Sequence, residues 1–369
     1  MNNLINPNII GLSPYLPGIP LEEFKRQYKL DRVIKLASNE NPLPLPANVV
    51  KAIHEETTRL NRYPDSDSHE LRKSLAQYHG IDSKNIIIGC GAVEILKMIV
   101  RTFLKPGQTV LTAKNTFCMF RIATIEQGGS SALVEVDMNE SYQYDLDRMA
   151  EKVNERTKII IIANPDNPTG TLIHREKILD FISKIPDHIF IVLDNAYQEY
   201  VSSPQDHLDG IDLAIGSKNI IVLRTFSKIY ALAGLRTGYG ISNEQTIAYL
   251  NQVRLPFNVT RIAQKAAQVS LENEDFKEKT IRLNIENREF CYQELNRLGF
   301  KVIPSETNFL LFFPGLDVRE MNNRLLQEGV IIRPLQAFGI TDGFRVTIGS
   351  EQDMKYFIEK IEKVSGQIS

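Results

Sequence analysis

The sequence has little of what marks several large protein classes. Its three cysteines, Cys90, Cys118 and Cys291, lie far apart and are odd in number. They form neither a disulfide framework nor a CxxC pair, so a reducing compartment suits the chain and the cysteines read as small core residues. Neither sign of charge is in excess. Lys and Arg number 43 against 45 Asp and Glu, which gives a formal net charge of −2 and a pI near 6.4. No global positive field draws the chain to nucleic acid or to an anionic membrane, so any anion site has to be built locally. No apolar run approaches the ~20 residues that span a bilayer. The opening residues, MNNLINPNII, lack the charged and apolar blocks of a secretory signal. These absences set the expectation of a cytoplasmic protein with no membrane and no nucleic-acid partner. Internal repeats, long linkers and low-complexity tracts are missing as well.

Metal chemistry finds as little support. The histidines at 54, 69, 79, 174, 188 and 207 lie in polar or loop settings without ligand spacing, and read as surface residues. His54-Glu55 opens like the HExxH zinc motif, but Thr58 stands where the second histidine belongs. No metal is expected.

What the chain does contain is a regular alternation. At 369 residues it is long enough for one large domain and a smaller one. Ile86–Ile88, Val110–Thr112, Ala132–Val136, Ile159–Ala163, Ile189–Leu193 and Ile220–Leu223 read as strands. Runs such as KIIIIA and NIIVL are apolar at successive positions, the pattern of strands buried on both faces. Helical patterns fall between them. In Ala92–Phe103, for example, Ala92, Ile95, Leu96, Ile99, Val100 and Phe103 follow a 3.6-residue period. The fold class is therefore α/β, a mostly parallel central sheet covered by helices. Beyond residue 270 the texture changes. A long charged helix over Asp275–Leu298 ends at Gly299, short strands follow at Phe300–Ile303, Phe309–Phe313, Val330–Ile332 and Phe344–Ile348, and a last helix starts in a Ser350/Asp353 capping box. The expected division is an N-terminal arm over residues 1–45 packing on the small domain, a large domain over 46–270, and a small α+β domain over 271–369.

The chemistry concentrates where strands end. RTFSKIYALAGLRTGYG, Arg224 to Gly240, follows the last buried strand of the large domain, at the carboxyl edge where open α/β sheets place ligands. Thr225, Ser227 and Arg236 offer hydroxyls and a guanidinium, a set suited to a phosphate dianion. Lys228 sits among them, and a lysine made less basic by burial and neighbouring cations condenses with aldehydes. LDNAY puts Asp194 at the end of another strand, with Tyr197 three residues on. A carboxylate there can pair with a protonated ring nitrogen, and the phenol can bond a ring oxygen. NPDNPTG, Asn164 to Gly170, ends a third strand and presents Asn167. GCGAVEIL joins a strand to a helix whose first N–H groups, at Gly91, Ala92 and Val93, form an anion site. A dinucleotide fingerprint would need a third glycine where Glu94 stands.

With these segments the chain resembles the fold-type I pyridoxal 5′-phosphate (PLP)-dependent aminotransferases of the class I/II superfamily, most closely the histidinol-phosphate aminotransferase family. The resemblance runs from SPYLPG at Ser13–Gly18 to FRVTIGS at Phe344–Ser350. Besides the motifs above, it is carried by ASNENP (Ala37–Pro42), NRYPD (Asn61–Asp65), RLPFNVT (Arg254–Thr260), ETNFLLF (Glu306–Phe312) and IIRPL (Ile331–Leu335). It implies PLP as cofactor, with Lys228 as the lysine that holds it covalently and moves the substrate proton. Asp194 would be the partner of the pyridine nitrogen, and Asn167 and Tyr197 the partners of its 3-oxygen. Thr225, Ser227, Arg236 and the N–H groups of Gly91, Ala92 and Val93 would form the phosphate cup. Phe117 would stack on the ring, and Tyr63 would reach the phosphate from the other subunit of a homodimer. Arg345 would take the substrate's anionic end, with Arg333, Tyr15 and Asn167 helping to hold the substrate.

The implied reaction moves an amino group between L-histidinol phosphate and 2-oxoglutarate, a step of histidine biosynthesis. The alternatives are an aromatic or broad-specificity aminotransferase and a threonine-phosphate decarboxylase-like lyase on the same fold. Three places depart from the family pattern. Ala92-Val93 stand where Ser-Asp is usual, Asn195 stands for Glu, and Leu43-Pro44 for Tyr-Gly. The first removes side-chain oxygens from the phosphate cup and leaves its backbone donors.

Overall fold

The apolar runs become strands of three sheets in the computed structural model, which describes residues 4–13, 23–24, 26, 30 and 32–368. In chain order the strands are β1 (Ile34–Lys35), β2 (Ile86–Gly89), β3 (Thr109–Ala113), β4 (Leu133–Val136), β5 (Thr157–Ala163), β6 (Phe190–Asp194) and β7 (Ile220–Thr225). They continue with β8 (Gly238–Ile241), β9 (Lys301–Ile303), β10 (Phe309–Phe313), β11 (Val330–Ile331), β12 (Arg333–Pro334) and β13 (Phe344–Thr347).

A seven-stranded sheet has the order β2-β8-β7-β6-β5-β3-β4. Its neighbours pair in parallel except at β8, which runs against both β2 and β7. The continuous apolar runs serve two cores at once because side chains alternate across a strand. Ile159 and Ile161 of β5, Val192 of β6 and Ile221 of β7 face a core shared with the helices Ala92–Phe103 and Glu244–Val253. Ile160 and Ile162, Ile191 and Val222 face the opposite core, under the helix Arg175–Lys184. Truncating one of these isoleucines to Ala costs about 2–5 kcal/mol.

β8 was not expected from the sequence. Its GYGI composition carries too little apolar patterning to signal a strand, and the glycine content has a packing cause. A Cβ on Gly238 would lie 2.5 Å from the Ala92 nitrogen, so only glycine lets the helix that starts at Ala92 dock against this strand.

The second sheet, β12-β13-β10-β9, is antiparallel throughout. Its core joins Leu310, Phe312, Phe344 and Val346 to Met354, Phe357, Ile358 and Ile361 of the last helix, Glu351–Ser365. That helix starts as the capping box requires, with Ser350 Oγ accepting the Asp353 N–H at 3.2 Å. β1 pairs in parallel with β11, and Ile34 and Leu36 enter the same core. The long helix Glu274–Arg297 is more than a charged surface. Asn284 and Arg288 both donate to the Thr307 carbonyl, and Asn287 donates to Gly349, which fixes the loops flanking β10 and β13.

Two expectations are corrected here. His207 is buried and bonds the Asn164 carbonyl at 2.9 Å, so it braces the NPDNPTG turn instead of facing solvent. Cys90 is exposed, so only Cys291 is a fully buried core thiol.

Candidate active site

One cavity of about 190 Å³ opens at the carboxyl ends of β5, β6 and β7, where the second sheet and the segment after β1 close over the first. Lys228, Asp194, Tyr197, Asn167, Thr225, Ser227, Arg236, Phe117, Ala92, Val93 and Arg345 all line it. Gly91 borders it as N-cap of the helix Ala92–Phe103. Tyr15 lies outside the described residues.

The parallel strands explain the convergence. β5, β6 and β7 are neighbours with the same direction, so the residues that follow their last positions emerge side by side. From β7 come Thr225, Ser227 and Lys228. Thr225 Oγ1 accepts the Ser227 N–H at 3.1 Å, and Ser227 Oγ accepts from Arg236 Nη1 at 3.3 Å. Arg236 holds a left-handed backbone, φ 53°, and also donates to the Ala233 carbonyl at 3.1 Å. Gly91, at φ 73°, has no side chain for a clear reason, since a Cβ there would lie 2.7 Å from Arg236 Nη2. Hydroxyls, guanidinium and helix N-terminus thus meet in one corner. Glu94 holds that corner's turn: its Oε2 accepts the Cys90 N–H at 2.5 Å and Asn258 Nδ2 at 2.7 Å.

Lys228 Nζ donates to the carbonyls of Asn39 at 3.1 Å and Ser38 at 3.4 Å. Desolvation first, then the positive field of Arg345 and, more weakly, that of Arg236, pull its pKa down to about 7, against an upward pull from Glu40. A large share of this amine is therefore neutral near neutral pH, where an ordinary lysine is fully charged. Asp194, only 8% exposed, accepts the Ala196 N–H at 3.2 Å. Burial pushes its carboxyl up to about 7, and the nearby Asp166 adds to the rise. A buried carboxyl with one backbone donor is short of positive charge, the deficit a protonated ring nitrogen would fill.

The remaining lining residues make the walls and bring in a second guanidinium, that of Arg345. Phe117 caps the helix Cys118–Gly128 and packs edge-on against Phe120, centroids 5.7 Å apart. Tyr197 OH accepts from Asn39 Nδ2 at 2.9 Å. Arg345, buried on β13, donates to Asn167 Oδ1 at 2.5 Å and to the Ala37 carbonyl at 2.8 Å. Its guanidinium lies between the rings of Phe309 and Phe338, 5.2 and 5.8 Å from their centroids.

Two expected site residues lie elsewhere. Arg333 does not line the cavity, but it is the direct register partner of Arg345 across β12 and β13, and so shares its face of the sheet. Tyr63 is 77% exposed, outside this chain's cavity, and stacks on Phe257 with centroids 4.5 Å apart. The sequence reading missed Asn39, Ser38 and Phe338 as lining residues. For Asn39 a signal existed within ASNENP: asparagine tolerates the left-handed φ of 54° that turns its carbonyl to Lys228. Asn195, the departure noted above, donates to the carbonyls of Leu208 and Asp209 and so anchors a loop. Among the described residues no cluster of His, Cys, Asp and Glu could hold a metal ion, and no helix is long and apolar enough to cross a membrane.

The donor set fits PLP. A phosphate corner, a nucleophilic amine, a carboxyl short of positive charge and an aromatic wall all face one enclosed space. Comparison with known proteins agrees. The family described as "Aminotransferase class I and II" matches residues 31–361. A histidinol-phosphate aminotransferase of Caldicellulosiruptor saccharolyticus is 40% identical over 353 residues, 96% of this chain and 98% of that one. That of Moorella thermoacetica is 38% identical, over 96% of this chain and 92% of its own. Among solved structures, the histidinol-phosphate aminotransferase of Sinorhizobium meliloti in complex with pyridoxal-5′-phosphate aligns with a TM-score of 0.88 at 28% identity, covering 98% of both chains.

Proposed function

The chain belongs to the class I and II aminotransferase family and is a PLP-dependent transaminase, and on that premise we propose that it transfers the amino group between L-histidinol phosphate and 2-oxoglutarate. The observation that carries the substrate is the Arg345/Arg333 pair. The two residues are direct register partners, so their side chains leave the same sheet face and bring two positive charges to the side from which Arg345 enters the cavity. A phosphate dianion on that face would be met by charge-assisted, bidentate bonds. In the other half-reaction the carboxylate of 2-oxoglutarate would take the same place.

When bound, PLP supplies an electron sink for the pair left behind as the substrate's Cα proton departs. The protein does the rest. Arg345, fixed by Asn167 and Ala37, sets the distance of the substrate's anionic end from the reacting carbon. Lys228 would hold the cofactor through Nζ and, when that amine is free, would carry the substrate's Cα proton on it, a task for which a pKa near 7 is suited. Asp194 would hold the ring nitrogen protonated, and Asn167 and Tyr197 would hold the ring oxygen. Phe117 would pack on the face of the ring.

A half-reaction screen tests the substrate, following the cofactor's absorbance on mixing with each amine. Histidinol phosphate should react with a kcat/KM about 10- to 100-fold above that of phenylalanine, as one or two charge-assisted bonds allow. Arg333→Ala should remove most of that advantage and leave phenylalanine within a few-fold. A wild type that prefers phenylalanine would make the enzyme an aromatic aminotransferase. Release of CO₂ from threonine phosphate without an oxo acid would make it a lyase.

The active unit in this reading is a cytoplasmic homodimer with shared sites. Tyr63, Phe257 and Leu255 are exposed at 77%, 42% and 64%, an apolar group that a second copy would cover. Arg261 fixes the segment by donating to the Tyr63 carbonyl at 3.1 Å. Tyr63 of one chain would then reach the phosphate corner of the other. Mixing an inactive Lys228→Ala chain with a Tyr63→Ala chain impaired in cofactor retention should restore activity above either parent. Each heterodimer carries one site with both residues intact. Proven heterodimers without recovery would place Tyr63 outside the partner's site.

A further inference from the structure

Asn39 touches two of the groups that the reaction uses, from the segment that closes over the large sheet. It is 1% exposed and holds a left-handed backbone, φ 54°, which asparagine tolerates better than most residues. That turn aims its carbonyl at Lys228 Nζ, 3.1 Å away. The same oxygen accepts Asn308 Nδ2 at 3.1 Å, so both of its lone pairs are used and its direction is pinned. The side chain meets Tyr197 OH at 2.9 Å on one side and Thr347 Oγ1 at 3.2 Å on the other. Asn308 and Thr347 are buried too.

Which end of the amide faces the phenol follows from Thr347. Its Oγ1 accepts the Asn39 N–H at 2.9 Å, and its own proton needs an acceptor in this interior. Among the described residues that acceptor is Asn39 Oδ1. Turning the amide over would set Nδ2 against Thr347 and leave the hydroxyl proton buried with nothing to accept it, which is costly. Nδ2 therefore faces Tyr197 and donates to it. The phenol's proton is not spent on Asn39, and a hydroxyl that accepts one bond is a better donor of another.

We propose that Asn39 is a positioning residue for the transamination, its amide setting the Tyr197 hydroxyl as a donor toward the ring oxygen and its carbonyl holding the Lys228 amine. A neutral amine has two N–H groups, and the carbonyls of Asn39 and Ser38 take them, which leaves the lone pair for a proton. The frame behind these contacts is β13. Arg345 and Thr347 stand two apart on that strand and share a face. Arg345 donates to the Ala37 carbonyl at 2.8 Å while Thr347 takes the Asn39 N–H. Residues 37 to 39 are thus held at both ends, and Tyr197 and Lys228 are set against one fixed piece of chain.

The role toward Tyr197 rests on the PLP reading; the contact with Lys228 does not. Asn39→Gly keeps the left-handed backbone and drops the amide, whereas Asn39→Ala drops the amide and disfavours that backbone. In the PLP-loaded enzyme the Gly variant should slow the half-reaction about 10-fold, as the loss of one hydrogen bond predicts. Added to Tyr197→Phe, it should cost less than about 2-fold more than Tyr197→Phe alone, because the amide acts through the phenol. A merely structural role would make the two losses multiply. In the apo-protein, labelling of Lys228 by trinitrobenzenesulfonate, mapped by mass across pH, reports the neutral amine. Its midpoint should stay at the wild-type value in the Gly variant and fall by roughly half a pH unit or more in the Ala variant, where a carbonyl that favours the charged amine has turned away. The charged groups acting on Lys228, namely Arg345, Glu40 and Arg236, are unchanged in both variants. Losses that multiply in the double variant, or midpoints that coincide in all three proteins, overturn the proposal. An Ala variant that does not fold leaves the decision to the Gly and Tyr197→Phe pair. A wild type that binds no PLP would instead contradict the cofactor reading, and the Lys228 midpoints would still test the contact.

Discussion

Lys228→Ala should abolish transamination, lowering turnover by at least about 10⁴-fold, the upper range of what a positioned proton-transfer group supplies, while the chain still binds PLP. The two effects separate because the contacts are separate. Thr225, Ser227, Arg236 and the helix N-terminus at Gly91 form a corner of their own, and Asp194 stands at another side of the cavity. Equilibrium dialysis should show affinity reduced but measurable. The same residue sets a pH dependence. Its folded pKa is lowered to about 7, so the amine is charged below that value and neutral above it. Capture of PLP by the apo-protein should therefore rise through pH 7 and level off by about pH 8, where an ordinary lysine with a pKa of ~10.4 would keep gaining. A rise that continues to pH 10 would mean that the amine is not desolvated as the cavity requires.

Asp194→Asn should slow the half-reaction by roughly 10²- to 10³-fold with the fold intact. Removing one partner of a buried ion pair costs about 3–5 kcal/mol, more than the ~1 kcal/mol of a single neutral hydrogen bond. The amide keeps the shape but cannot hold the ring nitrogen protonated. The apo-protein should respond in the opposite direction. Asp194 has a folded pKa raised from 3.8 to about 7, so between those values the folded state binds more protons than the unfolded one. Stability then falls as pH rises through that window. The Asn variant, which carries no buried charge, should melt higher than wild-type apo-protein at pH 7 and bind PLP more weakly. A near-normal half-reaction rate in this variant would remove Asp194 from its place as the ring-nitrogen partner.

How much of this was legible in the sequence differs from element to element. β5, β6 and β7 announced themselves because each is a continuous apolar run serving two cores, and such a run has few other uses. Lys228, Asp194 and Asn167 were legible for a related reason: each stands within four residues of the end of one of those strands. β8 was not, because the requirement that shaped it, room for the helix starting at Ala92, belongs to a residue far away in the chain. The same holds for Asn39 and Phe338. They reach the cavity through pairings that join the segment after β1 and the loop after β12 to the large sheet, and no local pattern encodes that meeting. His207 looked like a loop histidine because its partner, the Asn164 carbonyl, lies 43 residues earlier.

The central claim is that this cavity holds PLP on Lys228. Borohydride reduction of the PLP-loaded enzyme, followed by proteolysis and mass mapping, tests it most directly. The cofactor should be found fixed to a single peptide containing Thr225–Lys228, with the modification on Lys228 itself. Labelling of another lysine, or of none, would contradict the account.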